Sequence, residues 1–143
     1  LASASIPVIF GSTKIGDDAY VDGGALDNCP VQPLIDAGCN VIFTVPLDHL
    51  FKPKVYADHD ILIINLQTHH LFRLISADVL DFKTTIVKDN ATYGFRMAHF
   101  MLHKMIDLGF MDETYRISKP EGFRLIELTK EEELSLREDQ HGS

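Results

Sequence analysis

The 143-residue sequence has no tryptophan, only two cysteines and fewer basic than acidic residues. Cys29 and Cys39 form neither a Cys-x-x-Cys pair nor the dense pattern of a secreted disulfide scaffold, which predicts reduced, buried thiols in a cytoplasmic protein. No apolar run approaches the roughly 18 residues of a membrane-spanning helix, so no transmembrane segment is expected. The 21 acidic and 13 basic residues give a formal charge of -8, which disfavours nucleic acid as a partner.

The overall composition is that of a folded domain. Hydrophobic residues make up 45% of the chain and charged residues 24%, far from the balance of disordered proteins. We expect one folded region over residues 1–128 and a polar, frayed tail over 129–143. Peripheral association with membranes is compatible with this composition.

Short apolar runs alternate with helical patterns along most of the chain. The runs at 41–45 and near 61–64 are rich in β-branched residues, which predicts strands buried on both faces of a parallel sheet. The other predicted elements are helices at 31–37 and 90–108, ending before Gly38 and Gly109, and a strand within 121–128. Together they favour a three-layer α/β/α fold with a mainly parallel central sheet.

Near the start, two short strands at 13–15 and 19–21 are predicted to form a hairpin that leads into Asp22-Gly23-Gly24. Because the glycines allow a sharp bend, the Asp22 carboxylate is expected at the exit of the second strand. Aspartate before glycine is also a common turn dipeptide, and by itself it favours a structural role for Asp22. Asp27 and Asn28 are expected to bond nearby backbone and to hold this bend.

The longer sequence around Asp22 favours a catalytic role. A small-residue segment ends at Ile6-Pro7, and residues 20–31 read YVDGGALDNCPV. Over roughly residues 1–47 this closely resembles the second signature block of patatin-like acyl hydrolases. The resemblance implies that the chain is the C-terminal portion of their α/β/α domain. It also implies that Asp22 is the aspartate of a Ser-Asp dyad, in a loop shaped by Gly23, Gly24 and Asn28.

The serine of that dyad is not found in this sequence. The family's Gly-x-Ser-x-Gly elbow and its glycine-rich oxyanion segment lie upstream of this block, and no serine here has glycines two positions before and after it. The resemblance therefore implies part of a phospholipase, lysophospholipase or esterase that uses no cofactor or metal, with this chain inactive alone. We expect association with the missing N-terminal half, or a homo-oligomer, and a lipid or acyl-ester substrate.

The alternative is a catalytically silent module of the same fold that binds lipid or dimerises. Three methionines at helical spacing, Met97, Met101 and Met105, suit contact with acyl chains, although core packing is the stronger interpretation. Five basic residues are scattered rather than clustered and are expected to be solvated: Lys52, Lys54, Arg73, Lys83 and Lys88.

Two histidine pairs are candidate metal ligands. His99 and His103 lie four residues apart on a predicted helix, a spacing that can bind zinc. No glutamate follows His99 and no third ligand is evident, which favours solvated or packed histidines over a metal site. His69 and His70 are adjacent, so on extended backbone they point to opposite faces.

Overall fold

The computed structural model describes residues 11–46, 50–67 and 84–141. The chain divides into two compact units, Leu1–Pro30 and Val31–Ser143. The expected helix end at Ile6-Pro7 lies outside the described residues, as do His69, His70, Arg73 and Lys83.

The first unit contains a β-hairpin followed by a single turn of 3-10 helix. Strands β1 (Thr13–Ile15) and β2 (Asp18–Tyr20) pair antiparallel, with Ile15 opposite Asp18. The connecting turn is therefore two residues long, one shorter than predicted, and Gly16 adopts a left-handed conformation with φ 64. The 3-10 helix spans Gly23–Ala25.

The second unit is an α/β arrangement built on a parallel three-stranded sheet, as the sequence predicted. The strand order is β3-β4-β5, and both pairings are parallel. Its elements are α1 (Gln32–Asp36), β3 (Val41–Thr44), a 3-10 helix (Pro53–Tyr56), β4 (Leu62–Asn65), α2 (Thr84–Asp107), β5 (Arg124–Glu127) and α3 (Lys130–His141).

Burial separates the central strand from its neighbours. All four residues of β4 are buried, as expected for a strand covered on both faces. The same expectation was wrong for the run at 41–45, because β3 lies at an edge of the described sheet and Phe43 is 48% exposed. A continuous apolar run therefore marks a strand without showing that both faces are covered.

Alternate residues of β4 belong to two hydrophobic clusters. Leu62 and Ile64 belong to the cluster that includes the methionines of α2, whereas Ile63 belongs to the other. The methionines at 97, 101 and 105 are buried, which confirms core packing. The second cluster comprises Val31, Ile42, Ile61 and Ile63, with Ile35 of α1 packed against it. Helical segments thus cover both faces of the sheet.

Three expectations are corrected at this level. The long helix α2 begins at Thr84 instead of residue 90. The segment predicted as a frayed tail forms helix α3, Lys130–His141, which packs Leu136 against the core. The cysteines form no disulfide, but they are not buried thiols, because Cys39 is exposed and Cys29 is only partly buried.

Across the residues that the structure describes, no helix combines the length and apolar character needed to cross a bilayer.

Candidate active site

Asp22 lies two residues beyond β2 and caps the 3-10 helix that follows. Its backbone is extended, with φ -60 and ψ 125, and its side chain Oδ1 accepts a hydrogen bond from the Gly24 N–H at 2.9 Å. The residue is partly buried. The cap fixes one carboxylate oxygen against the backbone and thereby sets the direction of the whole group.

Two side chains approach Gly24 closely. A Cβ at this position would lie 2.8 Å from Asn28 Oδ1 and 3.2 Å from Asp22 Oδ1, both shorter than ordinary contacts. At Gly23 a Cβ would meet no atom within 4 Å. The structure therefore brings Asp22, Gly24 and Asn28 together, whereas Gly23 has room for a side chain.

Asp27 makes the same local hydrogen bond as Asp22. Its Oδ1 accepts from the Cys29 N–H at 3.0 Å, again two residues along the chain. Both aspartates thus stabilise turns, and this geometry does not distinguish a catalytic carboxylate from a structural one. The two residues differ in sequence context, because only Asp22 is followed by two glycines.

A carboxylate held in this way can act as a proton acceptor. An aspartate that is partly screened from water and fixed by a backbone N–H can take a proton from a hydroxyl placed within hydrogen-bond reach. Among the described residues no serine hydroxyl is hydrogen-bonded to Asp22. The second member of a dyad is therefore not identified within the described part of the chain.

The second unit contains an open groove that the sequence did not reveal. Its volume is about 510 Å³. It lies near the carboxyl ends of two parallel strands, because Gln67 follows β4 and Glu127 is the last residue of β5. The lining residues are Phe51, Lys52, Pro53, Lys54, Gln67, Leu125 and Glu127. In parallel α/β sheets, ligands characteristically bind beyond the carboxyl ends of the strands, so the position of this groove is a reason to consider it.

A buried polar pair leads toward this groove. Thr44 Oγ1 donates to Asn65 Oδ1 at 3.1 Å, and Asn65 Nδ2 donates to Gln67 Oε1 at 3.4 Å. Thr44 and Asn65 are 3% and 2% exposed, so their hydrogen bond offsets the cost of burying both groups. This network positions Gln67 at the groove.

Comparison with known proteins gives one family match. Residues 1–35 match the model of the patatin-like phospholipase family. The match includes Asp22 and its neighbours but ends at residue 35, short of the resemblance expected to residue 47. It supports a lipid acyl hydrolase family. Comparisons with curated proteins and with solved structures give no match.

Proposed function

We propose that this chain is part of a lipid acyl hydrolase of the patatin-like phospholipase family, to which it contributes the general base Asp22. The observation that supports this most directly is the hydrogen bond that Asp22 Oδ1 accepts from the Gly24 N–H, which lies within the matched residues 1–35. The close contacts around Gly24 add a reason for glycine at this position of the motif.

In the proposed reaction, Asp22 moves protons between a serine hydroxyl, an alcohol and water. The carboxylate takes the serine proton as the serine oxygen attacks the ester carbonyl, and it then returns that proton to the departing alcohol. The acyl group is left on the serine. Asp22 next takes a proton from water as the water attacks the acyl-serine, and it returns the proton to the serine oxygen. These steps require no metal or organic cofactor.

The serine nucleophile is proposed to come from sequence outside this chain, since no Gly-x-Ser-x-Gly is present here. The 143-residue chain alone is then expected to be inactive toward a chromogenic short-chain ester and unlabelled by a fluorophosphonate probe. Hydrolysis or labelling by this chain alone would show that it carries its own nucleophile.

The role of Asp22 is tested in the intact protein that includes the elbow segment, with Asp22→Asn compared against Asp27→Asn. Asparagine keeps the side-chain oxygen that accepts the backbone N–H at either position, so each turn is preserved. The two changes also remove equal charge. They differ in that only Asp22→Asn removes the proposed base.

We expect Asp22→Asn to reduce kcat by about 10²- to 10⁴-fold, the usual contribution of a general base. Asp27→Asn should leave kcat within about twofold. Equal ester turnover in both variants, or equal losses, would contradict the assignment. Circular dichroism of both proteins establishes that the comparison is between folded enzymes.

The groove supports a second candidate function, binding of an anionic amphiphile such as a fatty acid without hydrolysis. Phe51, Pro53 and Leu125 offer apolar surface for an acyl chain, and Lys52 and Lys54 offer positive charge for a carboxylate. Glu127 also lines the groove and opposes this charge, so the two lysines leave a net positive lining.

The second candidate predicts that this chain alone binds a fluorescent fatty acid. The double variant Lys52→Glu with Lys54→Glu should weaken binding by about tenfold or more, because it replaces attraction by repulsion at the same site. Lys88→Glu with Lys119→Glu is the charge-matched control, since both lysines are exposed and lie outside the groove. Equal affinity for both variants would reject the groove as the binding site.

A further inference from the structure

His99 and His103 lie on α2 with their ring nitrogens facing each other. Their Nε2 atoms are 3.3 Å apart, and their ring centroids are 4.5 Å apart with the rings inclined at 57°. Both residues are exposed, so this approach occurs at the surface and not within the core.

The separation of the two nitrogens matches that of two ligands on one tetrahedral zinc ion. Zinc–nitrogen bonds are about 2.0–2.1 Å long, and a tetrahedral angle between two of them places the nitrogens about 3.3–3.4 Å apart. The observed 3.3 Å therefore needs no change in the distance between the rings when an ion binds. Spacing of four residues allows this arrangement, but side-chain rotation decides whether it occurs.

Phe95, one turn earlier on α2, stacks on the His99 ring. The centroids are 6.3 Å apart and the ring planes differ by 25°. This contact restricts rotation of His99 and thereby favours the orientation in which its Nε2 faces His103. Part of the entropy cost of arranging two ligands is thus already met in the metal-free chain.

A hydrogen bond between two neutral imidazoles would also give this distance. It requires Nε2–H on one ring and an unprotonated Nε2 on the other. A metal ion replaces that single proton and uses the lone pairs of both nitrogens. The 3.3 Å distance between the nitrogens fits both arrangements, and metal affinity separates the two explanations.

We propose that His99 and His103 form a chelating site for one Zn²⁺ ion, with water completing the coordination. The described residues contain no group of three or more potential ligands, so this is a two-ligand site with open positions. It differs from the three- or four-ligand sites of zinc enzymes and zinc fingers. The site lies on exposed residues of α2 and uses none of the residues assigned to the proposed ester hydrolysis.

The proposal is tested by titrating the chain with Zn²⁺ in competition with a chromophoric chelator at neutral pH. Wild-type protein should bind one ion through this pair. Loss of even one second-shell partner costs about 10- to 100-fold in metal affinity, and loss of a direct ligand should cost at least as much. His99→Gln or His103→Gln should therefore each weaken zinc binding by at least about tenfold. His59→Gln is the control, because it removes a histidine elsewhere in the chain.

A second variant distinguishes ligand spacing from general loss of histidine. Phe95→His combined with His103→Gln rebuilds a pair four residues apart, one turn earlier, at a position that is 73% exposed. This double variant should bind zinc more tightly than His103→Gln alone but less tightly than wild type, because the contact of Phe95 with His99 is lost.

Two results would overturn the proposal. One is zinc affinity of wild-type protein that is equal to that of His99→Gln and His103→Gln, which would assign the 3.3 Å approach to a hydrogen bond alone. The other is loss of affinity in His59→Gln as large as in the pair variants. Circular dichroism of each variant verifies that α2 is retained, so a loss of binding reports on the ligands.

Discussion

Lys104 of α2 and Glu132 of α3 form an ion pair in which Nζ and Oε2 are 2.6 Å apart. Lys104 also donates to the backbone carbonyl of Glu127 at the end of β5. The Glu132 carboxylate accepts from the Thr129 N–H at 2.8 Å, and Thr129 Oγ1 accepts from the Glu132 N–H at 3.2 Å. This reciprocal capping box begins α3, and the ion pair ties it to α2 and β5.

Removing the charge of Glu132 alone, and then its charge together with its cap, should give graded losses of stability. Glu132→Gln keeps a capping oxygen but loses the charge, and we expect a cost of about 0.2–1 kcal/mol. Glu132→Ala removes the cap as well and should cost about 1–2 kcal/mol in total. Urea denaturation measures both. Glu131→Gln, an exposed change in the same turn, should stay within about 0.5 kcal/mol.

The same pair predicts how stability changes in acid. Partial burial raises the pKa of Glu132, but the hydrogen bonds from Lys104 and from the Thr129 N–H outweigh it, so its pKa in the folded chain lies below the ordinary value of 4.5. A lowered pKa contributes stability above the unfolded value, and this contribution is lost as pH falls through the folded value. Below pH 4.5 the stability advantage of wild type over Glu132→Gln should shrink. A constant difference there would contradict the pairing.

Tyr93 is 2% exposed, and its hydroxyl has no hydrogen-bond partner among the described residues. Replacing it with phenylalanine removes a buried polar group without opening a large cavity. Tyr93→Phe should therefore be neutral or stabilising, within about 1 kcal/mol, by urea denaturation. A loss greater than that would reveal a partner for the hydroxyl.

Burial, with repulsion from Glu133, raises the pKa of Tyr93 to about 12. A raised pKa contributes stability that is present below the unfolded value of 10.0 and is lost as pH rises through the folded value. Above pH 10 the stability of wild type should accordingly fall more steeply than that of Tyr93→Phe. Parallel curves would argue against this burial.

Gly23→Ala and Gly24→Ala form a matched pair around the Asp22 carboxylate. The added methyl group at position 24 would lie 2.8 Å from Asn28 Oδ1 and must displace it, whereas position 23 has open space. Because a shift of about 1 Å at a general base can cost about 10²-fold in rate, the role proposed for Asp22 predicts that Gly24→Ala reduces kcat of the intact protein far more than Gly23→Ala. Equal rates in an ester hydrolysis assay would show that the close contacts do not position the carboxylate.

The sequence predicted those elements whose signals are local. The β-branched runs located β3 and β4, the helical repeat of methionines located the buried face of α2, and Gly38 marked the end of α1 with its left-handed φ of 85. Helix α3 was missed because its composition is highly charged. The pattern Thr129-x-x-Glu132 was a readable start signal that could have found it.

Other features depend on tertiary arrangement and could not be predicted from the pattern. The groove combines Phe51, Gln67 and Leu125, which only parallel strand pairing brings together. The spacing of His99 and His103 was evident, but the facing of their rings depends on rotamers that spacing does not specify. The backbone hydrogen bond of Asp27, by contrast, was expected from its loop position and is confirmed.

The buried hydrogen bond between Thr44 and Asn65 has a consequence for the alignment of the two strands that carry it. The residues stand directly opposite each other at the ends of β3 and β4. If β3 slid by one position, every side chain of that strand would exchange faces, and the buried Asn65 amide would face Phe43 or Val45 in place of Thr44. The Asn65 amide thus disfavours a shifted register between β3 and β4. The other buried residues of β4 are all aliphatic and would tolerate such a shift.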